Sequence, residues 1–122
     1  MALSLVQVLD EHGRVEQGRL ASLFGKRYRD NPYRGYGGTA QDILERVHLG
    51  LSWREVSSEV FGGTGSKGNG AAMRVAPLGA YFADDLARAA SEARLSAEVT
   101  HFHPEGQAGA VAIAVAAAWA CR

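Results

Sequence analysis

The fourteen residues from Ala108 to Cys121 include no polar or charged side chain, and this run limits what the chain can fold into. A membrane-spanning helix needs about 20 predominantly apolar residues, and alanine, which dominates the run, partitions weakly into hydrocarbon. We therefore predict a core helix buried nearly all round, and no membrane partner. The rest of the chain agrees, because its 21 alanines against two isoleucines favour helices over sheet.

Apolar residues recur at helical spacing elsewhere in the chain, and no segment alternates polar and apolar residues as a strand does. We therefore predict an all-α protein, a compact helical bundle that forms a single domain over residues 1–122. Glycine, proline and capping residues predict where helices begin, bend and end. The predicted positions are an end at Gly13, a helix over 15–29, a capping box at Thr39 and Asp42, a kink at Pro77 and a cap at Asp84.

The charges of the chain balance, with 13 lysines and arginines against 13 aspartates and glutamates. Proteins that bind nucleic acid through its phosphates usually carry a basic excess, so we predict no nucleic-acid partner. For the same reason, the arginines and tyrosines between Arg27 and Tyr36 are interpreted as a solvated surface segment rather than an RNA-binding patch. The single cysteine, Cys121, and the absence of a basic signal-peptide region at the start together predict a cytoplasmic protein.

A glycine-rich loop is the sharpest feature of the sequence, since five of the 15 glycines fall within residues 62–70. Gly63, Gly65 and Gly68 satisfy the dinucleotide fingerprint, but the residues before them predict a helix, whereas the fingerprint requires a strand. The Walker A pattern also fails, because Gly68 follows Lys67 where that pattern needs serine or threonine. Two interpretations remain open. Backbone N–H groups at a helix start could bind phosphate, or the loop could be a flexible connector.

His101 and His103 precede the apolar run and raise the question of a metal site. No cysteine or second acidic ligand lies nearby at ligand spacing, so we predict no metal site in this chain. Hydrogen bonding of a histidine to a substrate, or a structural contact with the glycine-rich loop, fits the sequence better.

Three segments together resemble one enzyme family. The stretch FGGTGSKGNGAAMRVAPLG over 61–79 resembles the signature of the ADP-ribosylglycohydrolases. The residues 34–37 match a glycine-rich loop upstream of that signature, and 100–105 with Gly109 and Ala110 match a threonine–histidine segment before an alanine-rich helix. The resemblance implies an all-α bundle that hydrolyses the glycosidic bond between ADP-ribose and a protein side chain or small acceptor, with two magnesium ions as cofactor.

The resemblance also implies a substrate-binding role for ten residues, with ADP-ribose or an ADP-ribosylated substrate as the partner. One glycine-rich loop would line the diphosphate and ribose, and the second would cradle the phosphates and ribose. An aromatic ring would stack on adenine, and a histidine would reach the diphosphate or ribose. The first loop provides Gly35, Tyr36 and Gly37, and the second provides Gly65, Ser66, Lys67, Gly68 and Asn69. The aromatic ring is that of Phe61, and the histidine is His101.

The chain departs from the family pattern in its acidic motifs. Neither the threonine–aspartate–aspartate–threonine motif nor the aspartate–threonine–aspartate motif that holds the metals in the family occurs in it. Lys67 also stands where relatives often have an aromatic or small residue. We therefore expect a truncated, central portion of the family fold, incomplete at both ends, without catalytic residues or metal ligands of its own and inactive alone.

Two alternatives to the enzyme stay open at this point. The chain could be a catalytically silent module that binds ADP-ribose or a nucleotide, or a structural protein like the crystallins that share this fold. The apolar first and last helices also predict self-association or docking of a complementing chain segment.

Overall fold

The computed structural model describes all residues, 1–122, and contains helices but no strand, which confirms the all-α prediction. The elements are α1 (Ala2–His12), α2 (Gln17–Asp30), α3 (Gly38–His48), α4 (Trp53–Gly63), α5 (Gly70–Arg74), α6 (Ala76–Tyr81), α7 (Leu86–Glu98) and α8 (Pro104–Ala120). None of these helices combines the length and the apolar character that crossing a bilayer requires.

Helix α8 packs against α5, α6 and α7, and its buried face is a narrow stripe of small residues. Gly106, Ala110, Ala114 and Ala118 follow one another four residues apart and are buried. The opposite face is open, with Ile113 44% exposed. The prediction of a helix buried nearly all round is therefore wrong for this structure, because neighbouring helices cover one face only.

Of the predicted helix end at Gly13 and the predicted kink at Pro77, the structure agrees with the first and differs from the second. Gly13 ends α1 in the left-handed conformation, with its N–H donating to the Leu9 carbonyl at 2.8 Å, as predicted. Pro77 does not kink a continuous helix. The chain breaks at Val75, and the proline lies in the first turn of α6, where its missing N–H removes no helical hydrogen bond.

The predicted side-chain caps are wrong in detail. No side chain caps α3, which has Gly37 at its N-cap position, and the Asp42 carboxylate pairs with Arg46 one turn further on instead of forming a capping box. At α7 the cap is Asp85 rather than Asp84, since its carboxylate accepts a hydrogen bond from the backbone N–H of residue 88. Helix α3 therefore starts with its first-turn N–H groups free of any side-chain acceptor.

Helices α6 and α8 approach each other closely at Gly79. A β-carbon at Gly79 would overlap the Ala114 carbonyl oxygen and lie 2.9 Å from the β-carbon of Ala117. Real β-carbons do not come this close to backbone, so the absence of a side chain at this position sets the spacing of the two helices.

We expect Gly79→Ala to lower the free energy of unfolding by about 2 kcal/mol or more, because α6 and α8 must move apart. Gly109→Ala is the matched control, since a β-carbon there would meet nothing closer than the Ala72 methyl at 3.8 Å. Alanine is the better helix former, so the control should be neutral or slightly stabilising. Urea denaturation of the two variants checks this, and equal stabilities would contradict it.

Candidate functional site

One large cavity of about 1010 Å³ opens beside the two glycine-rich loops. Its walls come from the start of α1, the end of α2, the start of α3, the 64–70 loop and the short connection before α8. The structure brings all ten residues assigned to substrate binding to this cavity, and their contact with a ligand stays a prediction. They are Gly35, Tyr36, Gly37, Phe61, Gly65, Ser66, Lys67, Gly68, Asn69 and His101.

Gly65 anchors the 64–70 loop against the segment that precedes α8. Its N–H donates to the Val60 carbonyl at 3.0 Å, and its φ of +81° lies in the left-handed region that favours glycine. A β-carbon at this position would lie 2.6 Å from the backbone nitrogen of His103 and 2.8 Å from the β-carbon of Phe102. The loop is therefore held in a defined position and is not a free connector.

Several N–H groups of this loop have no protein acceptor. The N–H of Gly68 donates to the Ser66 hydroxyl oxygen at 3.1 Å, whereas no protein atom accepts from the amides of Ser66, Lys67, Asn69 and Gly70. These amides are available to a ligand or to water. Because α5 has five residues, the loop amides rather than a helix dipole supply the positive character predicted for this turn.

The upstream glycine-rich loop also presents unpaired amides, and it leads directly into α3. The amides of Gly35, Tyr36 and Gly37 donate to no protein atom, and the uncapped first turn of α3 borders the same cavity. Free N–H groups at the start of an eleven-residue helix favour an anion. Because no capping box forms at Thr39, the first-turn N–H groups of α3 remain available as hydrogen-bond donors to a ligand in the cavity.

Two of the three tyrosines of this region, Tyr28 and Tyr36, do not belong to the solvated segment that the sequence predicted. Tyr28 is buried, and the Tyr36 ring packs edge-on against it with a centroid distance of 5.3 Å. Tyr33 does face solvent and is 93% exposed. The aromatic pair fixes the upstream loop to α2, which explains how Tyr36 keeps Gly35 and Gly37 beside the cavity.

Phe61 lies at the rim of the cavity near the end of α4, where residues 60–62 depart from helical geometry, and its conformation is strained. Its φ of 54° makes it the one residue other than glycine with a positive φ, and the residue is 62% exposed. The left-handed conformation costs about 1–2 kcal/mol for a residue with a side chain. An exposed ring on strained backbone is typical of a ligand-contacting position, and stacking on adenine stays the prediction for it.

The cavity walls are basic although the chain as a whole is neutral. Four of the lining side chains are cationic and one is acidic. The cationic ones are Arg27, Arg34, Lys67 and Arg74, and the acidic one is Asp30. This concentration of charge could not be predicted from the sequence, because net charge says nothing about where charges gather in the fold. A cavity with these walls attracts an anionic ligand.

Arg74 is the buried member of this group. Its guanidinium donates from Nη1 to the Thr100 hydroxyl at 2.9 Å and from Nη2 to the Ser96 carbonyl at 2.8 Å, and it lies 4.7 Å from the centre of the Phe24 ring. No carboxylate pairs with it, and Nε has no hydrogen-bond partner. Burial lowers the pKa of Arg74 to about 9.

His101 lies on the inner side of the glycine-rich loop. Its Nδ1 is 2.7 Å from the Thr100 hydroxyl, and β-carbons at Gly70 and Gly68 would lie 3.2 Å from its Cε1 and 3.6 Å from its Nε2. Burial, and to a smaller extent the charge of Arg74, lowers the pKa of His101 to about 4. The imidazole is therefore neutral near pH 7, and the structural contact with the glycine-rich loop proposed from sequence is present.

His103 has a separate task and does not share a site with His101. Its Nδ1 accepts a hydrogen bond from the backbone N–H of Glu105 at 3.0 Å and so caps α8.

No three His, Cys, Asp or Glu side chains come together in the structure as a metal would require. Magnesium binds through several oxygen ligands, mainly carboxylates, and the cavity offers Asp30 alone. The residues present therefore do not fit the pair of magnesium ions that the family resemblance implies.

The low pKa of His101 makes stability depend on pH. Unfolding restores the ordinary histidine pKa of about 6.5. Between about pH 6.5 and pH 4, the unfolded chain therefore binds a proton at this histidine and the folded chain does not. The contribution of His101 to the free energy of unfolding is therefore fully present above about pH 6.5 and is lost as the pH falls towards 4. We expect this group to remove roughly 2 kcal/mol between about pH 7 and pH 5.

Urea denaturation at several pH values measures this loss, and His101→Gln provides the comparison because glutamine does not titrate. The variant should show a flatter pH dependence than the wild-type chain over this window. Parallel curves for the two proteins would contradict the assignment.

Comparisons with known proteins agree with the geometry. A family model described as ADP-ribosylglycohydrolase matches residues 1–122. The chain is 36% identical to ADP-ribosylhydrolase ARH3 of Bos taurus, 34% identical to that of Homo sapiens and 33% identical to that of Gallus gallus, in each case over 95% of this chain and 32% of the relative. It thus spans about a third of the length of these relatives. The chain belongs to the ADP-ribosylglycohydrolase family.

Proposed function

We propose that the cavity binds the ADP-ribose part of an ADP-ribosylated substrate, and that these residues supply the ADP-ribose-binding site for hydrolysis of the glycosidic bond that joins ADP-ribose to a side chain or small acceptor. The observation that carries the proposal is the set of unpaired amides in the loop over 66–70, which lie beside four cationic side chains in one cavity. Family membership supports the type of reaction.

A diphosphate matches this chemistry better than a neutral ligand does. Its oxygens accept hydrogen bonds from several amides at once, and its negative charges gain from Arg27, Arg34 and Lys67 at the walls. The volume of about 1010 Å³ is at the upper end of the range for small-molecule sites, so a nucleotide joined to a sugar can enter it. In this arrangement the Phe61 ring at the rim meets the adenine.

A catalytically silent binding module is the second candidate, and the lack of a metal-ligand cluster favours it for these residues. The two candidates share the ADP-ribose cavity and differ in whether bond cleavage follows. Magnesium remains a proposal for a longer protein that would supply carboxylates beyond those described, since Asp30 is the one acid at the cavity.

We expect isothermal titration calorimetry to detect ADP-ribose binding, with Phe61→Ala weakening the affinity about tenfold because base–aromatic stacking contributes about 1–3 kcal/mol. Tyr33→Ala is the matched control, since that ring is exposed and lies outside the cavity. The control should bind as the wild-type chain does. No heat of binding with the wild-type chain, or equal losses in the two variants, would overturn the proposal.

We also expect the 122-residue chain to release no ADP-ribose from ADP-ribosylated peptides, with or without added magnesium. Binding without cleavage is the expected result because the cavity has too few carboxylates to hold the metal. Chromatography of the reaction mixture measures the product. Magnesium-dependent release by this chain, abolished by a chelator, would show that the prediction is wrong.

A further inference from the structure

A continuous hydrogen-bonded chain joins a buried cation to the histidine of the cavity. Arg74 Nη1 lies 2.9 Å from Thr100 Oγ1, and Thr100 Oγ1 lies 2.7 Å from His101 Nδ1. Thr100 is 1% exposed, so water does not compete for its hydroxyl. The three groups come from α5 and from the connection before α8, and they meet directly behind the glycine-rich loop.

The direction of each hydrogen bond follows from which atoms carry protons. A guanidinium is a donor only, so Thr100 Oγ1 must accept from Arg74. The hydroxyl proton then remains to be donated, and His101 Nδ1 is the one further atom within hydrogen-bond distance of Oγ1. If Nδ1 carried a proton instead, the oxygen would accept twice and its own buried proton would have no acceptor. His101 Nδ1 is therefore the acceptor, and the ring proton sits on Nε2.

We propose that Thr100 and Arg74 are positioning residues that hold His101 as the neutral Nε2–H tautomer, so that the histidine presents a fixed hydrogen-bond donor to an oxygen atom of the ligand in the cavity. This inference rests on the proposed function for the identity of the ligand. The tautomer itself follows from the hydrogen bonds and does not depend on any ligand.

The surroundings of Nε2 agree with this role. The ring lines the cavity, and the structure gives Nε2 no hydrogen-bond acceptor within the protein. The positive charge of Arg74 and the burial of the ring both oppose protonation of Nδ1, which is consistent with the low pKa of His101. A neutral N–H donor selects an acceptor oxygen, such as a phosphate or ribose oxygen, and disfavours a ligand group that itself donates.

The tautomer can be measured in the free protein by long-range proton–nitrogen correlation with ¹⁵N-labelled histidine. His101→Gln identifies the signals of this ring by their loss. We expect the Nε2–H pattern at neutral pH in the wild-type chain, and the same pattern in Thr100→Ser, which keeps the hydroxyl. Thr100→Val, which keeps the shape but has no proton to donate, should show a mixture of tautomers. An Nδ1–H form or an imidazolium in the wild-type chain would overturn the inference.

The affinity for ADP-ribose supplies the second readout. Loss of one oriented hydrogen bond predicts an affinity about fivefold weaker for Thr100→Val, and rescue to within about twofold of wild type by Thr100→Ser. A Thr100→Val variant with unchanged tautomer and unchanged affinity would also overturn the inference. A wild-type chain that shows the Nε2–H form but binds no ADP-ribose would support the positioning role and overturn the proposed function, so the two failures are distinguishable.

Discussion

The close approach of small residues along α8 is the constraint on which the rest of the structure depends. Gly79 lets α6 come within backbone contact of α8, and Gly106 at the start of α8 does the same for the glycine-rich loop, since a β-carbon there would lie 2.6 Å from the Ser66 carbonyl oxygen. Close packing of this kind gives the dispersion energy of a dense core without large side chains. It also brings the amides of the loop beside His101.

The sequence predicts the fold class well and the surroundings of each helix less well. The alanine excess and the helical spacing indicate helices because they are local properties, and Gly13 ends its helix as a local signal should. The exposed face of α8 could not be predicted, because a uniformly apolar run carries no information about which side has neighbours. Likewise, the choice of Asp85 over Asp84 as cap depends on where the chain turns, which adjacent identical residues do not reveal.

In the site, too, the sequence motifs predict which residues are involved but not which side chains the fold brings into contact with them. The ten residues assigned from the family resemblance reach one cavity because their motifs are loop segments that the helices bring together. Arg74 and Thr100 were not among the predicted functional residues, although both lie within segments that resemble the family. Their role arises from a hydrogen-bonded chain between α5 and the connection before α8, and residue spacing does not predict such contacts. Arg27 and Arg34 were assigned to the solvated surface for the same reason.

The most direct measurement of the central claim is an NMR titration of the ¹⁵N-labelled chain with ADP-ribose, with adenosine as the comparison ligand because it lacks the diphosphate. If the unpaired amides receive the diphosphate, the backbone resonances of Ser66, Lys67, Asn69 and Gly70 shift strongly with ADP-ribose and little with adenosine. Resonances in this loop that stay unchanged at saturating ADP-ribose, or that shift equally with both ligands, would contradict the account.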